Sequence, residues 1–537
     1  MAIKLSVPGL EQNLTVETQP KQVAEWLAAL PLTNLNETPR AILDALSALN
    51  RSKVADDIRL KLLELYRTAI ASQMSALEAQ FSGQPLPLPE KSRLMASQAR
   101  QLQTELAYGY KIILLEQSSR KLSFGSNKQL PLVVERAIGS LGRMLVVCYQ
   151  TYAPTPAGVW AEMHILFTYA VEQGIQDETI FEPGRQSSVN LAYKQALLLA
   201  LLDPYRLMQG EVNKVLEYLT QFGGQAHLQP LMQTSNPSGY FLVRLDSDKP
   251  PRALAHDSTV TDARTDILLN TLELARLLHQ QINQLETGAN PKTLLLPYAA
   301  KDFGYPNLLR RMLKHWGIAP KRLFNRTQHD AKMEICAGIR SIHHFLCGDL
   351  SGGVAGKADE AAGRETTGIT LELANSPLDK TSLQTYVSRN WLIINESAGG
   401  LALAKDPKTD VQVRVGEIIG LRPEDNEAWN IGVVRWVSSE NPNHLQLGAQ
   451  MLAPTATPVM LRPLITSSSG APFQPALLLP EIPALKQPAT LVCLRGGFFP
   501  QREFLLDQNG TPENVRATRL LEQTATFDLF EFTQVQA

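Results

Sequence analysis

Trp391-Leu-Ile-Ile-Asn395-Glu-Ser397-Ala-Gly-Gly400-Leu-Ala-Leu403 decides how the second half of the chain is read. The apolar run Trp391 to Ile394 is broken by a polar turn rich in small residues, and an apolar run resumes at Leu401. Two short strands joined by a tight turn account for that pattern. Strand-like alternation continues on both sides. Upstream, Met333 and Ile335 alternate with Lys332 and Glu334. Downstream stand Val411-Gln-Val-Arg-Val415, Trp429-Asn-Ile-Gly-Val-Val-Arg435-Trp436 and Leu445-Gln-Leu-Gly-Ala-Gln-Met451, with Gly416 and Gly420 marking bends. Five or six short strands with glycine turns describe a small antiparallel barrel.

Ahead of this region lies Arg322-Leu-Phe-Asn-Arg326, two arginines separated by three residues. Two forked cations followed by a small polar turn suit a phosphate-bearing ligand with a planar base. Arginine pairs with phosphate or with the O6/N7 edge of guanine, and it stacks on bases. Asn395 offers a donor and an acceptor to a base edge, and the Ser397 hydroxyl can bond a phosphate or ribose oxygen. Gly400, with Gly399, permits positive φ and keeps space clear for a ligand.

The order of these motifs resembles the PilZ domain over about residues 318–455. The elements that carry the resemblance are RxxxR, a strand, the Asn395–Gly400 turn as (N/D)xSxxG, a Gly–Val–Val–Arg strand, and the last strand Leu447-Gly448-Ala449-Gln450-Met451. The resemblance implies a six-stranded barrel that acts as a receptor for the bacterial second messenger cyclic di-GMP. It also implies ligand-binding roles for Arg322, Arg326, Asn395, Ser397 and Gly400. The chain departs from the family in spacing, since Ile339 to about Arg389 is inserted between the two motifs. That insertion opens with a helical stretch, Ser341-Ile-His-His-Phe-Leu-Cys347. It continues into Gly/Ala-rich Ser351–Gly363, whose composition reads as flexible.

The first part of the chain has helical periodicity. Thr38-Pro39 reads as an N-cap followed by proline at the first helical position. Further helical patterns are expected at 53–80, 90–119, 131–152, 157–174, 188–203, 206–222, 263–287 and 305–316, with the strand-like run Gly239–Leu245 as an exception. Helices of this length joined by short turns imply an antiparallel bundle or a solenoid of helix pairs.

The expected fold class is therefore α+β multidomain. An all-α region at 1–300 and a linker helix at 301–320 precede the PilZ-like barrel at 321–455, with its insertion at 339–389. A β-rich piece follows at 456–537, with strands at 489–494, 502–507 and 524–532, a turn at Gln508-Asn509-Gly510, and a proline-rich spacer before them.

Composition narrows the function. The 537 residues carry 51 Lys+Arg against 52 Asp+Glu, a formal net charge of -1. A general nucleic-acid binder draws its affinity from a basic face, so DNA is not expected as a partner. A barrel for single strands would interleave basic residues with Trp391, Trp429 and Trp436, and such interleaving is thin. Four cysteines in no CxxC pair, no signal-peptide pattern and no long apolar run point to a cytoplasmic protein without a transmembrane segment. Ser351-Gly-Gly-Val-Ala-Gly356-Lys357-Ala358 fails as a P-loop, because serine stands at the first glycine position and alanine replaces the Mg²⁺-binding hydroxyl. His343, His344, Cys347 and Cys336 match no zinc spacing, so no metal is expected. No catalytic constellation stands out, so an enzyme is not expected either. The reading is a cyclic di-GMP-binding signalling effector without a cofactor, whose helical domain meets a protein partner. The alternative is a ligand-free interaction scaffold with a degenerate barrel.

Overall fold

The computed structural model describes the chain except for residues 1–2, 13–14, 120–127, 183, 233, 235, 255–261, 298–299, 301–303, 318–330, 351–385, 398, 408–411, 425, 427, 465–470, 484–485 and 536–537. The chain forms two compact units, one of Met1–Gln84 and Leu88–Lys321, the other of Pro85–Pro87 and Arg322–Ala537.

The first unit begins with α1 (Pro20–Ala29), α2 (Thr38–Asn50), α3 (Asp56–Phe81), α4 (Glu90–Ser119), α5 (Leu130–Gln150), α6 (Val159–Gln173), α7 (Val189–Leu201) and α8 (Glu211–Phe222). In α5, Pro131 lies in the first turn, and Val134, Ile138, Leu141, Leu145 and Cys148 recur at three- and four-residue steps to form a buried stripe. Gly109 in α4 lets α3 come close, since a Cβ there would stand 2.3 Å from Leu63 Cδ2. Charge is buried here too. Arg136 reaches Glu135 at 2.7 Å, Glu64 at 3.2 Å and Glu182 at 2.5 Å, and Tyr110 Oη donates to Glu64 at 2.6 Å. Burial alone would raise the Glu64 carboxyl. The Tyr110 hydrogen bond and the Arg136 and Arg67 charges outweigh burial and hold it below the usual range.

Two expectations are corrected in this unit. Thr38 is not the N-cap of α2: Glu37 holds that position, and Thr38 Oγ1 donates to Pro31 O at 2.8 Å. The pattern at 263–287 is not helical throughout. Between α6 and α7 lies a hairpin of β1 (Ile180–Glu182) and β2 (Arg185–Ser187). After α8 come β3 (His227–Pro230), β4 (Tyr240–Arg244), β5 (Arg252–Ala253), β6 (Asp266–Asn270), α9 (Leu272–Glu286) and α10 (Tyr305–Gly317). The four strands form an antiparallel sheet in the order β3-β6-β4-β5, which takes Asp266–Asn270 out of the expected helix. Pairing on both edges and complete burial of Leu268 and Leu269 override the helical preference of leucine. Buried Thr271 marks the change of structure, its Oγ1 donating to Gly239 O at 3.0 Å and Trp316 O at 2.6 Å.

The second unit holds two closed six-stranded barrels. The first contains β7 (Lys332–Ala337), β8 (Arg389–Ser397), β9 (Gly400–Lys405), β10 (Ile418–Pro423), β11 (Asn430–Asn441) and β12 (His444–Ala453), with α11 (Ile339–Leu350) between β7 and β8. The strand expected at Val411–Val415 is displaced. Gly416 turns the chain at φ 81°, and the barrel strand β10 follows it. Val413 instead exchanges both backbone hydrogen bonds with Leu86 at 2.9 Å, which is why Pro85–Pro87 belongs to this unit.

The second barrel contains β13 (Thr457–Pro463), β14 (Gln474–Leu479), β15 (Thr490–Leu494), β16 (Glu503–Gln508), β17 (Thr511–Gln523) and β18 (Phe527–Gln534). The stretch read as a proline-rich spacer thus supplies two strands. Its prolines sit near strand ends, at Pro458, Pro463 and Pro475, where fewer ladder donors are needed. The two barrels have the same topology. In each, the first strand pairs with the second and fourth, the second with the third, the third with the sixth, the sixth with the fifth, and the fifth with the fourth. One apolar cluster joins them: Ile339, Ile342 and Leu346 of α11 pack with Ile418, Trp429 and Ile431 of the first barrel and with Leu477, Val492 and Phe527 of the second. Separating the barrels exposes these side chains to water at roughly 1.5–3 kcal/mol for each one fully uncovered.

Candidate ligand-binding face of the first barrel

The β8–β9 hairpin opens with Trp391 and Ile393 facing the barrel interior, opposite Lys405 and Leu403. Simple alternation would then turn Asn395 and Ser397 inward as well. A bulge between Ile393 and Asn395 inserts one residue and reverses the parity. Asn395 therefore stands opposite Ala402, Ser397 stands opposite Gly400, and both lie on the outer face. Ser397 Oγ donates to Gly400 O at 3.0 Å, which fixes the turn. Gly400 has φ 154°, and a Cβ there would stand 2.1 Å from the carbonyl oxygen of Ala449. Only glycine fits between these strands.

The face extends across two further strands. In β12, Gly448 lies opposite Ala402 and Gln450 opposite Gly400. In β11, Trp436 lies opposite Gly448. A Cβ on Gly448 would come within 1.8 Å of Trp436 Nε1, so the indole lies directly on that glycine. A second bulge, between Val434 and Trp436, brings Arg435 to the same outer face. Its Nε donates to Gln450 Oε1 at 2.7 Å, and its two terminal nitrogens bind the Glu522 carboxylate. The result is a shallow trough whose floor is Gly400, Ala402 and the indole that covers Gly448. Asn395 and Ser397 line one side, and Gln450, Arg435 and Trp436 line the other. A flat ring would lie over Gly400 and Ala402 beside the Trp436 indole, and the walls carry hydrogen-bond donors, acceptors and a guanidinium.

Asn395, Ser397 and Gly400 are thus brought together on one hairpin. Arg322 and Arg326 lie outside the described residues, as does the Gly/Ala-rich segment Ser351–Gly363. The sequence reading did not single out Gln450, Arg435 or Trp436 as site residues. The adjacent Arg435-Trp436 pair after Gly–Val–Val was the available signal, but its placement depends on a bulge that local periodicity does not reveal. Cys336 is buried in the core beneath Gly420, and burial pushes its thiol well up. Cys347 Sγ lies 3.6 Å from His343 Nδ1 on α11. Among the described residues no group of three or more His, Cys, Asp or Glu side chains could hold a metal ion, and no helix is long and apolar enough to cross a membrane.

Comparison with known proteins places this face in a family context. Residues 21–233 match the family model described as cyclic-di-GMP receptor FimW, N-terminal domain. Residues 240–367 and 355–458 match the middle PilZ domain of the same receptor, and residues 459–535 match its C-terminal β-barrel domain. The chain is 27% identical to the cyclic-di-GMP receptor FimW of Pseudomonas aeruginosa over 583 aligned positions, covering 99% of this chain and 94% of that protein. That relative is described as a receptor for cyclic di-GMP. The middle of the chain, built around the Asn395–Gly400 hairpin, belongs to the PilZ domain family.

Proposed function

We propose that this chain is a cytoplasmic effector that binds cyclic di-GMP on the trough of its first barrel. The carrying observation is the bulge after Ile393, which presents Asn395 and Ser397 together on the outer face beside a glycine that admits no side chain. Asn395 meets a guanine edge, and Ser397 meets a phosphate or ribose oxygen. Gly400 keeps the floor low beside the Trp436 indole, so that a purine can lie flat there. Arg322 and Arg326 supply the forked cations that pair with the phosphates and stack on the bases. The match to a receptor over nearly its whole length supports the choice of ligand. The free state of all four cysteines supports a reducing compartment.

Arg322 is also the first residue of the second unit after Lys321 closes the first. In the proposed cycle, the ligand draws the Arg322–Arg326 segment onto the barrel and so biases the orientation of the helical unit, which carries the signal to a protein partner. The driving free energy is the difference between ligand contacts in the closed and open states. Calorimetric titration with cyclic di-GMP tests the reading. The native chain binds, while Arg322→Ala and Ser397→Ala each lose roughly tenfold or more in affinity. No heat from the folded native chain overturns the receptor reading in favour of a ligand-free scaffold. Undiminished binding by both variants places the ligand elsewhere.

A further inference from the structure

The second barrel has the strand order of the first but none of its ligand motif. The connection between its second and third strands reads Pro480-Glu-Ile-Pro-Ala-Leu-Lys-Gln-Pro-Ala489, with no counterpart of Asn395, Ser397 and Gly400. It is therefore not a second copy of the site. Yet one of its side chains reaches the trough of the first barrel. Glu522 lies on β17 beside a bulge between Leu520 and Glu522. Its two carboxylate oxygens take the two terminal nitrogens of Arg435, one at 2.8 Å. With Nε committed to Gln450 Oε1, the guanidinium is held through all three of its nitrogens. The side chains are 28% and 25% exposed, so the pair is largely sheltered from water. The apolar cluster around α11 spans both barrels and fixes the distance between Glu522 and the trough.

An arginine left to itself samples many rotamers, and fixing it on a ligand costs entropy. Gripped at its nitrogens, Arg435 keeps its planar face in one place, next to Gln450, the residue that stands opposite Gly400. The face is the part of a guanidinium that stacks on a planar base.

We propose that Glu522 is a positioning residue through which the C-terminal barrel preorganises the ligand site. It holds Arg435 as a fixed stacking surface for a purine base lying in the trough. This rests on the cyclic di-GMP reading of the trough and extends it to a domain that carries no ligand motif of its own.

The test is calorimetric titration of the full chain with cyclic di-GMP, in native, Glu522→Ala, Glu522→Gln, Arg435→Ala and doubly substituted forms, with thermal unfolding of each without ligand. Glu522→Ala is expected to weaken binding roughly five- to tenfold, and the double variant to bind no worse than Arg435→Ala alone. Glu522→Gln retains one acceptor and loses less, which keeps the test open if the alanine variant folds poorly. Three outcomes overturn the proposal: native affinity in both Glu522 variants, tighter binding in Glu522→Ala, or losses that add fully in the double variant. Tighter binding marks Glu522 as a competing anion. A lowered melting temperature with native affinity reduces the ion pair to a structural tie between barrels. A folded native chain that does not bind cyclic di-GMP overturns the underlying reading, and this inference with it.

Discussion

Replacing Gly400 by alanine tests the geometry on which the site depends. The added methyl would stand 2.1 Å from Ala449 O, 3.1 Å from Ala449 C and 3.2 Å from Gln450 Cα, all backbone atoms of β12. A carbon–oxygen contact closes no nearer than about 3.3 Å, so β9 and β12 must part locally by about 1 Å. No side-chain rotamer relieves this contact. The residue must also keep φ near 154° to preserve its pairing with Ser397 and Gln450, a conformation that alanine avoids. Overpacking costs about 1–3 kcal/mol, and backbone strain adds about 1–3 kcal/mol. The expected destabilisation of the barrel unit is therefore about 2–6 kcal/mol. Urea denaturation measures it, and hydrogen exchange at β9 and β12 amides localises it. Ligand affinity falls in the same variant, because Ser397 Oγ takes its orientation from Gly400 O. A stability change below about 0.5 kcal/mol, with native exchange in both strands, refutes the close approach of β9 and β12.

Other substitutions probe other parts of the chain. Arg136→Leu removes the guanidinium from Glu135, which keeps the Ser187 hydroxyl, and from Glu64 and Glu182, which costs roughly 3–5 kcal/mol in thermal or urea unfolding. By contrast, Lys61→Ala removes an exposed pair with Asp57 and should change stability by less than about 0.5 kcal/mol. Equal effects from the two would contradict the burial described. Burial raises the Glu417 carboxyl from an ordinary 4.5 to about 7, against the opposing influence of Arg414. The folded state therefore binds that proton more tightly than the unfolded chain, and stability declines as pH rises from about 4.5 through about 7. Glu417→Gln keeps an acceptor for the Arg414 amide and removes the titration, so its advantage over the native chain should grow across that window. Parallel stability curves across that range would show that Glu417 titrates normally.

Local sequence carried much of the fold. Apolar residues at three- and four-residue steps marked α3 to α7, and alternation with glycine turns marked most strands of the first barrel. The turn Gln508-Asn509-Gly510 was legible because asparagine and glycine tolerate positive φ, and both take it, at 55° and 83°. Where local pattern and tertiary pairing disagreed, the pairing prevailed. Asp266–Asn270 became the second strand of a sheet inside an apparent helix, and Pro458, Pro463 and Pro475 sat within strands because each lies near a strand end.

The sequence by itself determined which residue types could meet a cyclic dinucleotide, since Asn395, Ser397 and Gly400 lie within six positions and their chemistry is local. Tertiary structure decided which way they face. One extra residue after Ile393 reverses every later side chain in β8, and nothing in the alternation signals it, because a bulge is set by pairing with a neighbouring strand. It also decided what stands across the trough. Arg435 and Glu522 are 87 residues apart in different barrels, and they meet because a shared apolar core brings the barrels together. Short-range periodicity encodes elements, whereas an ion pair across two closed barrels depends on contacts that no local window contains.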